Sequence, residues 1–310
     1  MKLLICHQIQ IIHMTKHIFW IASYPKSGNT LVRSILCSLF FSDNGIFRFD
    51  LLKKIVVFEE FSRLAKCFNT RENNINPKSM MERNYLIFEN MKEIQKKIHL
   101  GFNEDFAFFK THFNGNFNGQ NFLIDNYIRG IIYIYRDPRD ICLSWARHNN
   151  ISKNASLKFM LNDSAFIKWI GHENYKRYDK NIPVYISSWE QHVRSWINLK
   201  VKCPYLLLSY EDLVYDKINT VDKIIKFFEN NYNIQISNKN IKVKNIINST
   251  SFNVLQEMEN KEGFNESVNE QFFAVGKKEQ WKTQLEESQI KLIENEFKNL
   301  MKKLNYKVLS

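Results

Sequence analysis

The stretch WIASYPKSGNTLVRSIL, residues 20–36, decides how this chain folds. A short apolar run ends at Tyr24, a loop of Pro25, Lys26, Ser27 and Gly28 follows, and apolar residues then recur at helical spacing. The order is strand, turn, helix, with a lysine in the turn. Backbone N–H groups at a helix N-terminus, the helix dipole and a glycine that allows close approach all favour an anion. Lys26 adds a point charge, and Ser27 and Thr30 add hydroxyl donors. The G-x-x-x-x-G-K-[ST] spacing of a Walker loop is missing, so the loop asks for a phosphate without saying which. The alternative is an ordinary strand-to-helix turn capped by Ser27 or Asn29.

Three further apolar runs read as buried strands beside Ile18–Ala22: Phe106–Phe109, Ile131–Tyr135 and Tyr205–Leu208. They are short, uninterrupted and β-branched or aromatic, as in a parallel sheet covered on both faces. Helical patterns lie between or after them, at Thr30–Phe41, Asp140–His148, Thr220–Phe228 and Glu286–Leu304. This alternation predicts an α/β fold with a central, mainly parallel sheet flanked by helices in three layers. Residues 42–100 read as mostly helical, Phe113–Asn126 as an Asn/Gly-rich loop or turn series, and 149–180 as polar and aromatic without a clean period. With no repeat and no Pro/Gly/Ser linker, residues 14–310 are expected to form a single domain and residues 1–13 an N-terminal extension.

The residues just past each strand carry the chemistry. Strand one leads to Lys26-Ser27-Gly28, strand two to Lys110-Thr111-His112, strand three to Arg136-Asp137-Pro138-Arg139-Asp140 and strand four to Ser209-Tyr210-Glu211-Asp212. In a parallel α/β sheet all four carboxyl ends share one edge, where ligands bind. Two lysines, an arginine, a histidine and a tyrosine are therefore expected to converge.

Composition narrows the rest. The 310 residues are 44% hydrophobic and 25% charged, as in an ordinary globular protein, and the formal net charge is +12. That excess favours anionic partners, although the lysines are scattered rather than blocked, which equally reflects general composition. Five dispersed cysteines without a C-x-x-C argue against a disulfide framework and a zinc site and suit a reducing, cytoplasmic setting. The interrupted apolar run at the N-terminus does not read as a signal peptide, and nothing approaches the ~18 apolar residues of a membrane span.

SYPKSGNT resembles the 5′-phosphosulfate loop of sulfotransferases that use 3′-phosphoadenosine 5′-phosphosulfate (PAPS), whose usual form is YPKSGTTW. Other motifs of that family occur downstream in order: the K-T-H triplet as Lys110, Thr111 and His112; an arginine and a serine eight residues apart as Arg136 and Ser144; Y-E-D as Tyr210-Glu211-Asp212; T-S-F as Thr250-Ser251-Phe252; and G-x-x-x-x-W-K as Gly276 to Lys282. They run from residue 18 to 285, nearly the whole chain. The resemblance implies a P-loop-like fold and PAPS as co-substrate, with no metal. Lys26, Ser27, Gly28, Asn29 and Thr30 would hold the 5′ end, Arg136 and Ser144 the 3′-phosphate, and Phe252 the adenine. Tyr210, Gly276 and Lys277 would complete the donor site.

The resemblance also implies in-line transfer of a sulfuryl group to an acceptor hydroxyl or amine. His112 would be the general base, with Lys26 and Lys110 stabilising charge. Four positions depart from the pattern, the first being Asn29, which replaces the first threonine of the loop's T-T pair and keeps hydrogen bonding. Leu31 replaces a tryptophan that stacks on adenine, and Ala274 and Val275 replace an Arg-Lys pair that grips the 3′-phosphate; Lys277 and Lys278 stand next to that gap. The expected partner is a small-molecule or saccharide acceptor, met by the 113–126 loop and by Trp169, Tyr175 and Tyr178. Neither nucleic acid nor a membrane is expected, and a homodimer is compatible with the sequence. Two other readings stay open: a nucleotide-binding protein on the same scaffold without catalysis, and a P-loop kinase.

Overall fold

The structure is a computed structural model that describes residues 18–60, 64, 79–101, 106–170, 181–267 and 271–309. Its strands are β1 (Ile18–Ser23), β2 (Val56–Val57), β3 (Ala107–Thr111), β4 (Asn116–Phe117), β5 (Gln120–Asn121), β6 (Ile128–Tyr135), β7 (Phe166–Ile170), β8 (Asn181–Tyr185) and β9 (Tyr205–Ser209). Five of them form one sheet in the order β2-β3-β1-β6-β9, with every pairing parallel. All four strands expected from the sequence are present. The chain leaves the central β1, returns beside it as β3, and then crosses to β6 on the other side. The carboxyl end of β1 is therefore the point where strand order reverses, the usual ligand crevice of such sheets.

Helices cover both faces: α1 (Asn29–Phe41), α2 (Met80–Glu89), α3 (Met91–Gly101), α4 (Pro138–Asn149), α5 (Lys153–Leu161), α6 (Trp189–Ile197), α7 (Tyr210–Tyr215), α8 (Lys217–Tyr232), α9 (Lys239–Ser249), α10 (Phe252–Glu262), α11 (Trp281–Gln284) and α12 (Glu287–Lys303). The pleat of β1 divides the core in two. Ile18, Trp20 and Ala22 join a cluster with α3, α4, α6 and α12 residues such as Ile94, Ile141, Trp196 and Phe297. Phe19 and Ile21 join one with Val32, Ile35 and Leu36 of α1 and Ile224 and Phe228 of α8. A strand buried on both faces needs apolar residues at every position, which is why these runs do not alternate.

Caps mark where strands become helices. Asp137 caps α4 by accepting from the Arg139 N–H at 2.9 Å, with Pro138 opening the first turn. Ser209 caps α7 through the Asp212 N–H at 3.0 Å. Both helices thus start on the strand edge that carries the expected site.

Several readings are refined. The 113–126 segment contains the short hairpin β4–β5, turned by Asn118 and Gly119, both at positive φ. Its phenylalanines are core residues rather than pocket walls: Phe113, Phe117 and Phe122 are all buried, with Phe113 stacked on Phe122 at 5.7 Å. The 149–180 region holds α5 and β7, which pairs antiparallel with β8. Tyr175, Tyr178 and residues 1–13 lie outside the described residues. Cys37 and Cys142 are buried free thiols, as read from their apolar neighbours.

Candidate active site

The loop between β1 and α1 is shaped by two left-handed residues, Lys26 at φ 66° and Gly28 at φ 97°. A non-glycine there costs of order 1–3 kcal/mol and persists only where surrounding structure enforces it. At Gly28 a side chain is excluded twice over, because a Cβ would lie 2.6 Å from the Tyr210 ring. Tyr210 is in turn covered by the Arg136 guanidinium, 4.0 Å from its ring centroid, and Arg136 donates to the Lys26 carbonyl at 3.0 Å. The ends of β1, β6 and β9 are thereby locked together around the loop.

The loop's own groups divide into two sets. The Asn29 amide turns back to β1, donating to Ile21 O at 3.3 Å and Ser23 Oγ at 3.2 Å. The buried Ser27 Oγ has no protein partner. Thr30 Oγ1 donates to Glu266 Oε2 at 3.0 Å, and Arg33, one turn further on, holds the other oxygen of that carboxylate. Arg33 and Lys110 keep the Glu266 carboxyl below its ordinary range despite burial. The Lys26 ammonium sits 4.1 Å over the Phe272 ring. Burial, then the neighbouring Arg136, brings its pKa down to about 7. The cradle, the helix N-terminus and the unpartnered Ser27 hydroxyl fit an anionic group.

At the end of β3 the triplet is arranged around Glu59, a wholly buried acid on the turn after β2. Glu59 Oε1 accepts from the Thr111 hydroxyl at 3.0 Å and from the His112 N–H at 2.5 Å, and Oε2 lies 3.7 Å from Lys110 Nζ. The Lys110 ammonium is buried, which lowers its pKa, and Glu59 opposes that. The half-buried His112 has Nδ1 2.7 Å from the Ser23 carbonyl. A carbonyl can only accept, so Nδ1 carries the proton and Nε2 is the basic nitrogen. Burial and then Lys110 push His112 well below its ordinary pKa, so the ring is neutral near pH 7.

Behind it, His192 Nε2 donates to the His112 carbonyl at 3.1 Å, and its Nδ1 accepts from the Tyr133 hydroxyl at 3.0 Å. Burial brings His192 down to about 3.

The remaining expected residues are only partly gathered. Ser144 lies half-exposed on the second turn of α4, eight residues beyond Arg136. Gly276, at φ 60°, lies against Phe252: a Cβ there would be 2.2 Å from its ring. Lys277 is exposed. Lys278 turns instead to Tyr215, its ammonium 4.4 Å over that ring. The acids of the Arg136–Asp140 run are structural: Asp140 accepts from the Glu279 and Trp281 N–H groups at 2.7 and 3.1 Å, which ties the Gly276–Lys282 segment down. Glu59, His192, Arg33 and Glu266 were not legible as site residues, because none stands in a motif or near one in sequence except Arg33.

Comparison with known proteins assigns the family and the fold. The sulfotransferase domain family model matches residues 16–305, and the chain belongs to that family. It is 33% identical over 97 residues to 3-beta-hydroxysteroid sulfotransferase of Cavia porcellus, covering 31% of this chain and 30% of the relative. It is also 25% identical over 130 residues to luciferin sulfotransferase of Photinus pyralis, covering 42% and 32%. The chain thus spans under a third of the length of these relatives in the matched region. Among solved structures, mouse sulfotransferase SULT7A1 complexed with PAP superposes with a TM-score of 0.56 at 19% identity, over 94% of this chain and 85% of that one. Retinol dehydratase in complex with androsterone and PAP gives 0.57 at 17% identity, over 92% and 80%. The central parallel sheet flanked by helices is the fold of these sulfotransferase structures. Among the described residues no helix is long and apolar enough to cross a membrane.

Proposed function

We propose that this protein transfers a sulfuryl group from PAPS to the hydroxyl, or amine, of a small acceptor, in line and with His112 as general base. The observation that carries the reading is the tautomer of His112. Its Nδ1–H is spent on Ser23, at the end of the strand that feeds the phosphate loop, so Nε2 is the nitrogen able to take a proton. In the step, a bond forms between the acceptor oxygen and sulfur while the sulfur–oxygen bond to the 5′-phosphate breaks, its electron pair staying on the phosphate. The acceptor proton passes to His112 Nε2, and PAP, the 3′,5′-bisphosphate, leaves.

Lys26 and Lys110 supply positive charge where negative charge builds up, and their burial strengthens that interaction. Arg136 and Ser144 receive the 3′-phosphate, and Phe252, braced by Gly276, receives the base. Ser27, Gly28, Asn29 and Thr30 hold the 5′ end, and Lys277 stands at the edge of the donor site. We read the acceptor as a small hydroxyl-bearing molecule, in keeping with relatives named for steroids and luciferin. The reading takes residues 14–310 as one catalytic domain, and the free thiols of Cys37, Cys142 and Cys203 suit a reducing, cytoplasmic setting.

Thermal shift with PAP against ATP plus Mg²⁺, followed by transfer from labelled PAPS to a panel of phenols, sterols and sugars, tests the reading. Stabilisation by PAP and label in an acceptor are expected. Stabilisation by ATP plus Mg²⁺ alone would overturn it in favour of a kinase.

A further inference from the structure

We infer that Glu59 is a positioning residue of the transfer site, holding Lys110, Thr111 and His112 in their working arrangement and balancing the Lys110 charge. This rests on the sulfotransferase reading of the triplet. A carboxylate wholly removed from water is costly unless its oxygens are bonded and its charge matched. Glu59 finds its compensation in the triplet. Oε1 accepts from the Thr111 hydroxyl and the His112 N–H, while Oε2 makes no hydrogen bond among the described residues and lies 3.7 Å from the Lys110 ammonium that matches its charge.

The register explains how so short a strand delivers it. Val56 pairs with Phe109 and Val57 with Lys110, and the 3-10 turn Phe58–Glu60 that follows at once carries Glu59 to the end of β3, where it meets Thr111 and His112. Two-residue β2 thus serves to bring one carboxylate to the catalytic end of β3. The geometry also separates two tasks. One oxygen fixes the backbone from which the imidazole springs, and the other faces the ammonium.

Lys110 is surrounded by charge from three elements: Glu59 and Glu60 on the turn after β2, Arg33 on α1 and Glu266 on the segment after α10. Burial and Arg33 favour loss of its proton, while the three carboxylates oppose that. Glu59 comes first among the three. Without its charge, Lys110 gives up its proton at lower pH.

Glu59→Gln separates positioning from charge, since the amide oxygen still accepts from Thr111 and His112. The expected result is a melting temperature near that of the parent, an acceptor KM within a few-fold, and kcat lowered about 10- to 100-fold, the worth of one charge-assisted contact. The alkaline limb of kcat should move to lower pH. A Gln variant with parental kcat and an unmoved limb overturns the inference, as does a loss of activity that merely tracks a lowered melting temperature. Imidazole ¹⁵N shifts read the geometry without turnover. Glu59→Gln should keep the His112 Nδ1–H form, whereas Glu59→Ala should populate both tautomers; a single tautomer in both variants overturns the positioning role. If the parent neither binds PAP nor transfers label, the sulfotransferase reading fails while the imidazole result still decides the role of Glu59.

Discussion

His112 is held at three points, by one backbone carbonyl and two side chains. Ser23 O fixes its tautomer, Glu59 holds its N–H and His192 holds its carbonyl. His112→Ala is therefore expected to lower kcat by ~10²–10⁴-fold, the usual worth of a general base, while calorimetry shows PAP binding retained. Full activity with a true acceptor would reassign the base.

Lys26 makes a second prediction at this scale. With a pKa brought down to about 7, it is charged below that pH and neutral above it, and the charged form binds the anion. PAP affinity should fall as pH rises from 7 to 9. At pH 7 binding should take up a fraction of a proton, seen as a binding enthalpy that depends on the buffer's ionisation heat. Affinity flat across that range would remove Lys26 from the anion site. Lys26 and His112 were legible because each directly succeeds a buried strand. Glu59 and His192 were not: one sits just past a two-residue strand, the other within α6, and both reach the site only through folding.

Among elements, the start of α1 is the most constrained. Gly28 is its N-cap residue, with no side chain to cap and no room for one. Gly28→Ala meets both the left-handed backbone and the Tyr210 ring, so a loss of about 1–3 kcal/mol in chemical denaturation is expected, together with loss of PAP binding. A variant of parental stability would mean the loop can be redrawn without its glycine. The same element shows what sequence reading can reach. Long helices and wholly apolar strands announce themselves through period and length, and α1, α4, α8 and α12 lie near their expected bounds. Strands β2, β4 and β5 have two residues each, too few for any period. Asn118-Gly119 is the local signal of the β4–β5 hairpin, and in an Asn/Gly-rich segment it does not stand out from the surrounding turns.

On the scale of the whole molecule, the sheet sorts residues by face and edge at once. Apolar side chains go to the two covered faces, and the polar ones that come after each strand are left at the carboxyl edge. Such sorting makes a parallel fold and its crevice readable together. It does not reveal what distant segments bring across that edge. Thr30 and Glu266 are separated by 236 positions in sequence, and nothing local to either foretells their hydrogen bond.

That bond has a thermodynamic consequence. If Thr30 holds the 5′ end of the donor as proposed, Glu266 is a tethered rival for it: the incoming anion would have to displace a carboxylate already bound to Thr30 and Arg33, and the measured affinity would be a difference between two occupants. Part of the donor's binding energy would then go into this exchange. Glu266→Ala should tighten PAP about tenfold, by analogy with the worth of a charge-assisted hydrogen bond, and make the protein's melting temperature respond to millimolar inorganic phosphate. Weaker PAP binding in that variant would instead make Glu266 a donor contact. If the exchange holds, the parent chain discriminates against small anions, because only a ligand anchored at its far end as well can outbid an acid that never leaves the molecule.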